Sequence, residues 1–314
     1  MLKGVEHSRN GRHIFVTGLA RAGTTILLRA LYSTKGFRSL TYRDMPFVLM
    51  PNVWKQLSKA SRKYEDEKER AHGDRIQVSF DSPEAFEEVF WRTFCGDDYI
   101  RTNHLQQHSV DAETIDHFVE FVAQVLASSD SVKTSYLSKN NNNILRLTAI
   151  REAFPNAAII IPFRDPVQQA NSLLKQHLLF SERHQRDRFS YDYMRWLGHH
   201  EFGLTHKHFR FGTNESSRYS MYDSSNINYW VNMWLTIYSY VYEAMPEGSM
   251  LVCYESLCDR PAESMGKILD FAGVECATDS ISTMFETPRR SEVEGLDQEL
   301  VAEALSLYEK MREG

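Results

Sequence analysis

The chain has 314 residues, is 42% hydrophobic and 25% charged, and carries a net charge of −6. That length makes one large domain or two small ones, with the composition of an ordinary globular protein. Only 15 Gly and 9 Pro exclude a collagenous chain, and four cysteines (95, 253, 258 and 276) with no Cys-x-x-Cys pair exclude a disulfide scaffold and disfavour a zinc site. Reduced thiols and a cytoplasmic setting are the simplest expectation. The opening MLKGVEHSRNGRH has no apolar signal core, and no run approaches the ~18 apolar residues of a membrane helix. Net acidity disfavours general nucleic-acid binding, so an anionic ligand must meet a local cluster of cations.

In chain order, His13 to Thr17 reads as a short strand that ends at Gly18, and Thr24 to Tyr32 as a helix. Arg62 to Arg70 is a run of mixed charges expected on a solvated helix or loop. Ser82-Pro83-Glu84 predicts a second helix, with Ser82 as N-cap and Pro83 at its first position. Asp111 caps a third, whose apolar positions Ile115, Phe118, Val119, Val122 and Leu126 follow helical spacing. A strand over 132–138, a helix over 144–154 and a strand over 157–163 follow. The last of these strands is apolar on both faces, as in a covered parallel sheet. Asp165-Pro166 opens a helix through about His177. Further elements are a helix over 226–244, a strand over 250–254, a helix over 261–272 closed by Gly273, and a terminal helix over 297–311. Alternating strands and helices predict an α/β fold with a mainly parallel central sheet flanked by helices. No linker composition divides the chain, so 1–314 reads as one domain, with residues 180–226 as an insertion over the sheet.

The first strand runs into Gly18-Leu19-Ala20-Arg21-Ala22-Gly23-Thr24-Thr25. A strand, glycines five apart and a helix start is the layout of a phosphate-cradling P-loop. Thr24 stands where a nucleotide triphosphatase has Lys, which argues against phosphoryl transfer from ATP or GTP. The cation is instead Arg21, and Thr24 and Thr25 add hydroxyl donors. A strand–turn–helix with incidental glycines is the plain alternative.

Phe15 to Leu28 (FVTGLARAGTTILL) resembles the first signature of the sulfotransferases that use 3′-phosphoadenosine 5′-phosphosulfate, in the style of the bacterial and tyrosylprotein-type enzymes. The resemblance covers about residues 13 to 310. It implies a P-loop NTPase-like fold, this co-substrate, 3′,5′-adenosine bisphosphate as product, and no catalytic metal. It also implies that Arg21, Ala22, Gly23, Thr24 and Thr25 bind the 5′-phosphosulfate and that Arg21 stabilises charge on the bridging oxygen. The family reads the 3′-phosphate with an Arg at a strand end and a Ser eight residues later; Arg164 and Ser172 match in type and spacing. A basic residue one turn further on is replaced by Gln176. Asp165 could alternatively be a magnesium ligand on a Walker-B-like strand, in a nucleotide kinase.

Tyr136 to Pro155 resembles a third family segment, which implies that Lys139 helps hold the transferring sulfuryl group; the usual Pro is replaced within Asn140 to Asn143. Leu251 to Pro261 resembles a fourth, placing Tyr254 near the nucleotide. Arg290 and Ser291 fall where the family closes a loop over it. A base must take the acceptor's proton. Asp44 (TYRDMPF) is the first choice, and His104 or His108 (NHLQQH) the alternative. His184, His199, His200, His206 and His208 do not fit a zinc-site spacing; with Phe202, Phe209, Phe211, Tyr219 and Tyr222 they suggest an acceptor wall or lid. The stripe Tyr229, Trp230, Met233, Trp234, Ile237, Tyr238 and Val241 reads as core. The expected activity is sulfuryl transfer to the hydroxyl of a small-molecule or glycan acceptor. A kinase and a non-catalytic nucleotide-binding module are the other classes.

Overall fold

The computed structural model describes residues 2–58, 68–69, 77–78, 82–129, 135–212, 221–287 and 289–313. The charge run at 62–70 lies outside them except for Lys68–Glu69, as do residues 132–134 of an expected strand, Tyr219 and Pro288. The described helices are α1 (Leu2–Arg9), α2 (Thr24–Ser33), α3 (Pro51–Ser58), α4 (Glu88–Tyr99), α5 (Ala112–Ala127), α6 (Leu147–Ala153), α7 (Pro166–Arg186), α8 (Arg188–Trp196), α9 (Ile227–Ala244), α10 (Tyr254–Asp259), α11 (Pro261–Ala272), α12 (Asp279–Ser282) and α13 (Gln298–Glu313). The strands are β1 (Ile14–Val16), β2 (Phe37–Arg38), β3 (Lys68–Glu69), β4 (Gln77–Val78), β5 (His104–Gln106), β6 (Ser135–Lys139), β7 (Ala158–Phe163), β8 (His208–Arg210) and β9 (Ser249–Cys253).

Five strands form one parallel sheet in the order β2-β6-β1-β7-β9. The alternation of β1 assigns its two faces. Phe15 joins Ile159 and Ile161 in one core, under α4, α5, α6, α7, α9 and α13. Ile14 and Val16 join Leu137, Ala158 and Ile160 in the other, under α2, α10 and α11. Each large apolar side chain removed from water contributes about 1.5–3 kcal/mol, so covering both faces is what holds a sheet this apolar in place. This is the expected α/β architecture. The chain crosses from β6 to β7 over β1, so β1 ends at a switch point of the topology, where open α/β sheets carry ligands. Among the described residues no helix is long and apolar enough to cross a membrane.

Several local expectations are corrected. No helix starts at Pro83, because residues 82–86 run beside the segment after β2: Pro83 bridges Thr41 and the Glu84 amide donates to the Leu40 carbonyl (3.0 Å). Ser82 accepts from Arg29 rather than capping, and α4 begins at Glu88. The helix opened by Asp165-Pro166 continues past His177 to Arg186. Residues 141–145 form a 3-10 turn before α6. β5 and β8 pair in parallel as a separate ribbon that their three-residue length hides in the sequence. The aromatic stripe of α9 is core, as read.

His13 anchors the start of β1. Its Nδ1 accepts the Tyr136 amide (3.0 Å), so Nε2 carries the proton it donates to the Ser8 carbonyl (2.7 Å). Burial, partly opposed by the bond to Ser8, pushes its pKa down to about 4. In the unfolded chain a histidine binds its proton near pH ~6.5, so below that pH the unfolded state takes up protons that the folded state refuses. Stability is therefore complete above pH ~6.5 and lost as pH falls through ~4. The urea midpoint should be lower at pH 5 than at pH 7, and His13→Gln should reduce the difference; an equal or higher midpoint at pH 5 would contradict this.

Candidate active site

The loop after β1 is shaped by two glycines that side chains could not replace. Gly18 has φ 136°, and a Cβ there would lie 2.9 Å from the Pro162 carbonyl. Gly23 has φ 88° and would put its Cβ 2.4 Å from the Tyr254 ring. Between them Arg21 takes a left-handed φ of 69°, a strain of about 1–3 kcal/mol that neighbours must hold. They do. Buried Gln169 on α7 donates to the Leu19 and Ala20 carbonyls (3.2 and 2.9 Å), and Trp234 on α9 fixes Gln169 by donating to its Oε1 (3.0 Å). Gly23 is the N-cap of α2 and supplies no side-chain cap, so the amides of the first turn remain donors toward the loop.

Arg21 does more than occupy the loop. Its Nε donates to Ser172 Oγ at 3.0 Å, tying the loop to α7. Beside this contact, Arg164 lies over the Tyr254 ring (5.2 Å to the centroid), with its Nε 3.9 Å from Glu255. That Nε is buried and makes no hydrogen bond, so a strong cationic donor is left to be satisfied there. Gln168 and the backbone of Ser291 exchange two hydrogen bonds (2.9 and 3.0 Å), pinning the 289–291 segment to the first turn of α7. Arg290 is exposed at that segment, and Gln176 is buried on α7. Arg21 thus contacts Ser172, both Arg21 and Arg164 act electrostatically on Tyr254, and Ser291 is tied to the first turn of α7.

A cavity of about 270 Å³ opens on the loop, lined there by Arg21, Thr24 and Thr25. Lys139, the last residue of β6 and paired in register with Val16, lines it from the next strand. Glu201 lines it opposite, accepting from the Asn141 amide (3.0 Å). Burial raises the Glu201 pKa, but His199, Lys139 and that amide outweigh it, and the net shift is downward. His199, also a liner, bonds the Ala85 carbonyl (3.1 Å).

The chain matches the model of the sulfotransferase family over residues 13–212, more than half of its length. It belongs to the sulfotransferase family. No curated protein matches it. Among solved structures, sulfotransferase STF9 from Mycobacterium avium is 15% identical, with 98% of this chain and 78% of that one covered and a TM-score of 0.51. A sulfotransferase from Alicyclobacillus acidocaldarius is 14% identical over 96% of this chain and 92% of its own, with a TM-score of 0.42. At these identities the likeness to STF9 shows the fold alone, which is the P-loop NTPase-like fold of sulfotransferases.

None of the three bases expected from the sequence, Asp44 or the alternatives His104 and His108, is among the residues that line the cavity. Asp44 is buried in a 3-10 turn, where its Oδ2 accepts from the Thr41 amide (2.7 Å) and hydroxyl (3.1 Å) and its Oδ1 pairs with Arg38 (2.5 Å). Its carboxylate is occupied as a cap. His104 lies on the β5–β8 ribbon, stacked on His208, and His108 stacks on Tyr99. Of the cavity liners Glu201 and His199, the sequence points to His199 within the insertion's histidine cluster and does not single out Glu201. The run His199-His200-Glu201 does not fit a zinc-site spacing and suggests an acceptor wall, but nothing local in the sequence links Glu201 to Lys139. Among the described residues no cluster of His, Cys, Asp and Glu is placed to hold a metal ion. The insertion histidines bond protein groups instead, as His206 does Tyr229 (2.8 Å). Of the aromatics named for the insertion, Phe202 lines the cavity; Phe209 and Phe211 pack in the core, and Tyr222 donates to Asp297.

The Asn140–Asn143 run holds this side of the site. All four side chains are buried. Asn140 donates to Glu88 (2.7 Å), Asn143 to Glu87 (2.8 Å), Asn142 to the Gly198 carbonyl (3.2 Å) and Asn141 to Glu201. Glu88 is fully buried, and although burial opposes its ionisation, Arg146 (2.9 Å), Tyr99 and Asn140 lower its pKa. Arg146 sits between the Trp91 and Tyr99 rings (4.8 and 4.6 Å). Removing one member of such a pair leaves a buried charge unpaired, at a cost of about 3–5 kcal/mol. Urea unfolding of Glu88→Gln should show a loss of that size, and the double variant Glu88→Gln/Arg146→Met should recover part of it. A loss in Glu88→Gln within about 0.5 kcal/mol, the range of ordinary surface changes, would contradict the assignment.

Proposed function

We propose that the chain moves a sulfuryl group from 3′-phosphoadenosine 5′-phosphosulfate to an acceptor hydroxyl. The observation that carries this reading is the Arg21–Ser172 hydrogen bond. It joins the loop cation to Ser172, one of the two residues matched to the 3′-phosphate, and Lys139 and Glu201 line the same cavity as Arg21, which supports the reading. Thr24, in place of a Walker lysine, supports sulfuryl over triphosphate chemistry.

In this reading the backbone of Ala22 to Thr25 and the two threonine hydroxyls hold the 5′-phosphosulfate. Arg164 and Ser172 hold the 3′-phosphate, while Tyr254, Ser291 and exposed Arg290 border the nucleotide. Glu201 takes the acceptor's proton as the new O–S bond forms in line with the breaking S–O bond. Negative charge then collects on the bridging oxygen, where Arg21 stabilises it, while Lys139 neutralises the sulfuryl oxygens in passage. A cation already in place as charge develops needs no reorganisation, which is why such contacts lower barriers. Residues 180–202 supply the acceptor wall of what we read as one catalytic unit.

Arg164→Ala should weaken 3′,5′-adenosine bisphosphate binding by about 10- to 100-fold, the size of a charge-assisted contact, as measured by calorimetry. Glu201→Gln should keep that affinity and lower kcat by about 10²–10⁴-fold. Asp44→Asn should lose stability through its cap and keep turnover. The depressed Glu201 pKa keeps the base ionised through neutral pH, so the rate should hold below pH ~6.5, where an imidazole base would titrate away. Full turnover in Glu201→Gln, or a rate that halves near pH ~6.5, would remove Glu201 as the base.

A further inference from the structure

The cavity lining combines charged side chains with aromatic ones. Arg21, Lys139 and Glu201 line it together with His199 and Asn141, and Glu84 and Arg183 are its other charged liners. The rest of the wall is built from aromatic pairs. Tyr42 packs edge-on against Phe86 (5.4 Å, 87°), Phe180 stacks near Phe202 (6.1 Å, 24°), and Tyr193 stacks on Phe189 (5.6 Å, 20°). Met194 and Leu197 complete it. Phe86, Phe180 and Phe202 are buried at 0%, 3% and 3% exposure, so this wall is preformed. Phe189 is the exception: it lines the cavity yet is 67% exposed.

The carboxylate on this wall is already engaged. Glu84 accepts the Tyr42 hydroxyl at one oxygen (2.8 Å) and the Ala85 amide at the other (2.9 Å). Arg183, Ser190 and the Tyr193 hydroxyl are the other polar groups along it. A sugar carries hydroxyls around its whole rim, and each one pressed against Phe or Met without a partner costs about 1–3 kcal/mol. A ring with one hydroxyl pays no such cost, because its polar atom reaches Glu201 while its body meets the aromatic pairs. At about 270 Å³ the cavity lies just below the ~300–1,000 Å³ of typical small-molecule sites, so it suits a single compact molecule.

We infer that the acceptor is a compact, apolar-bodied alcohol or phenol, not a saccharide, and that Phe189 is a specificity residue that closes over its outer end. This rests on the transfer proposed above, and the test separates the two.

The protein saturated with 3′,5′-adenosine bisphosphate is titrated calorimetrically with 2-naphthol, cyclohexylmethanol, methyl glucoside and a tyrosine-containing peptide. Sulfate transfer to each is measured in parallel. The naphthol and the cyclic alcohol should bind and be sulfated, with kcat/KM at least about 100-fold above the glucoside, the effect of two or more unpaired hydroxyls. Phe189→Ala should raise KM for naphthol up to about tenfold, the worth of one aromatic contact, with bisphosphate affinity and kcat unchanged. Absence of bisphosphate binding would sink the transferase reading itself. Bisphosphate binding with no affinity for naphthol or the cyclic alcohol, or with the glucoside or peptide preferred, would overturn this inference and leave that reading standing. An unchanged KM in Phe189→Ala would remove its role as a specificity residue.

Discussion

Four consecutive asparagine side chains are buried where β6 ends, and a buried amide without partners is costly. The partners they find fix this side of the site. Two are carboxylates at the start of α4, one is the backbone at Gly198, and one is Glu201 itself. Behind them the Glu88–Arg146 pair, closed between Trp91 and Tyr99, supplies the charge that makes such a polar centre tolerable in an apolar core. One turn of backbone therefore sets the position of Lys139, which precedes it, and of Glu201, which is 60 residues beyond Asn141. A half-satisfied network would be worse than an apolar core, so each member constrains the others.

The loop after β1 has a different support. Arg21 is held in a left-handed conformation that its own preferences oppose. The opposing force comes from α7 and α9, through Gln169 and Trp234. Trp234 also donates to the Arg164 carbonyl (3.0 Å), so one indole steadies both halves of the proposed nucleotide surface. The strain is local and the restraint distant, an arrangement that keeps a cation aimed before any ligand arrives.

What the sequence disclosed follows the range of the interactions. β1, the glycine loop and α2 are contiguous, and each residue type there answers a local requirement: left-handed backbone at Gly23, close approach at Gly18. The strand–helix junction that carries Arg164 and Ser172, the residues proposed for the 3′-phosphate, was readable for the same reason. The caps at Asp111 and Asp165 and the left-handed Gly273 stand where local chemistry puts them. Asp44 misled because its surroundings in the sequence do not show Arg38 folding back to it. Pro83 misled because its pairing with Thr41 spans 42 residues. Glu201 was hidden because its pocket partners come from four other segments. Local pattern located the proposed donor half; the proposed acceptor half brings residues 180–202 together with Tyr42, Phe86 and Lys139, which are distant in the sequence.

The central claim is that Arg21 and Arg164 form one surface for a nucleotide with two separate phosphates. Calorimetric titration of the purified protein in EDTA with 3′,5′-adenosine bisphosphate, and then with 5′-AMP, tests it directly. The account predicts tighter binding of the bisphosphate by at least about tenfold, the worth of one charged hydrogen bond. Equal affinity for the two would mean that Arg164 and Ser172 read no 3′-phosphate, and the account would fail.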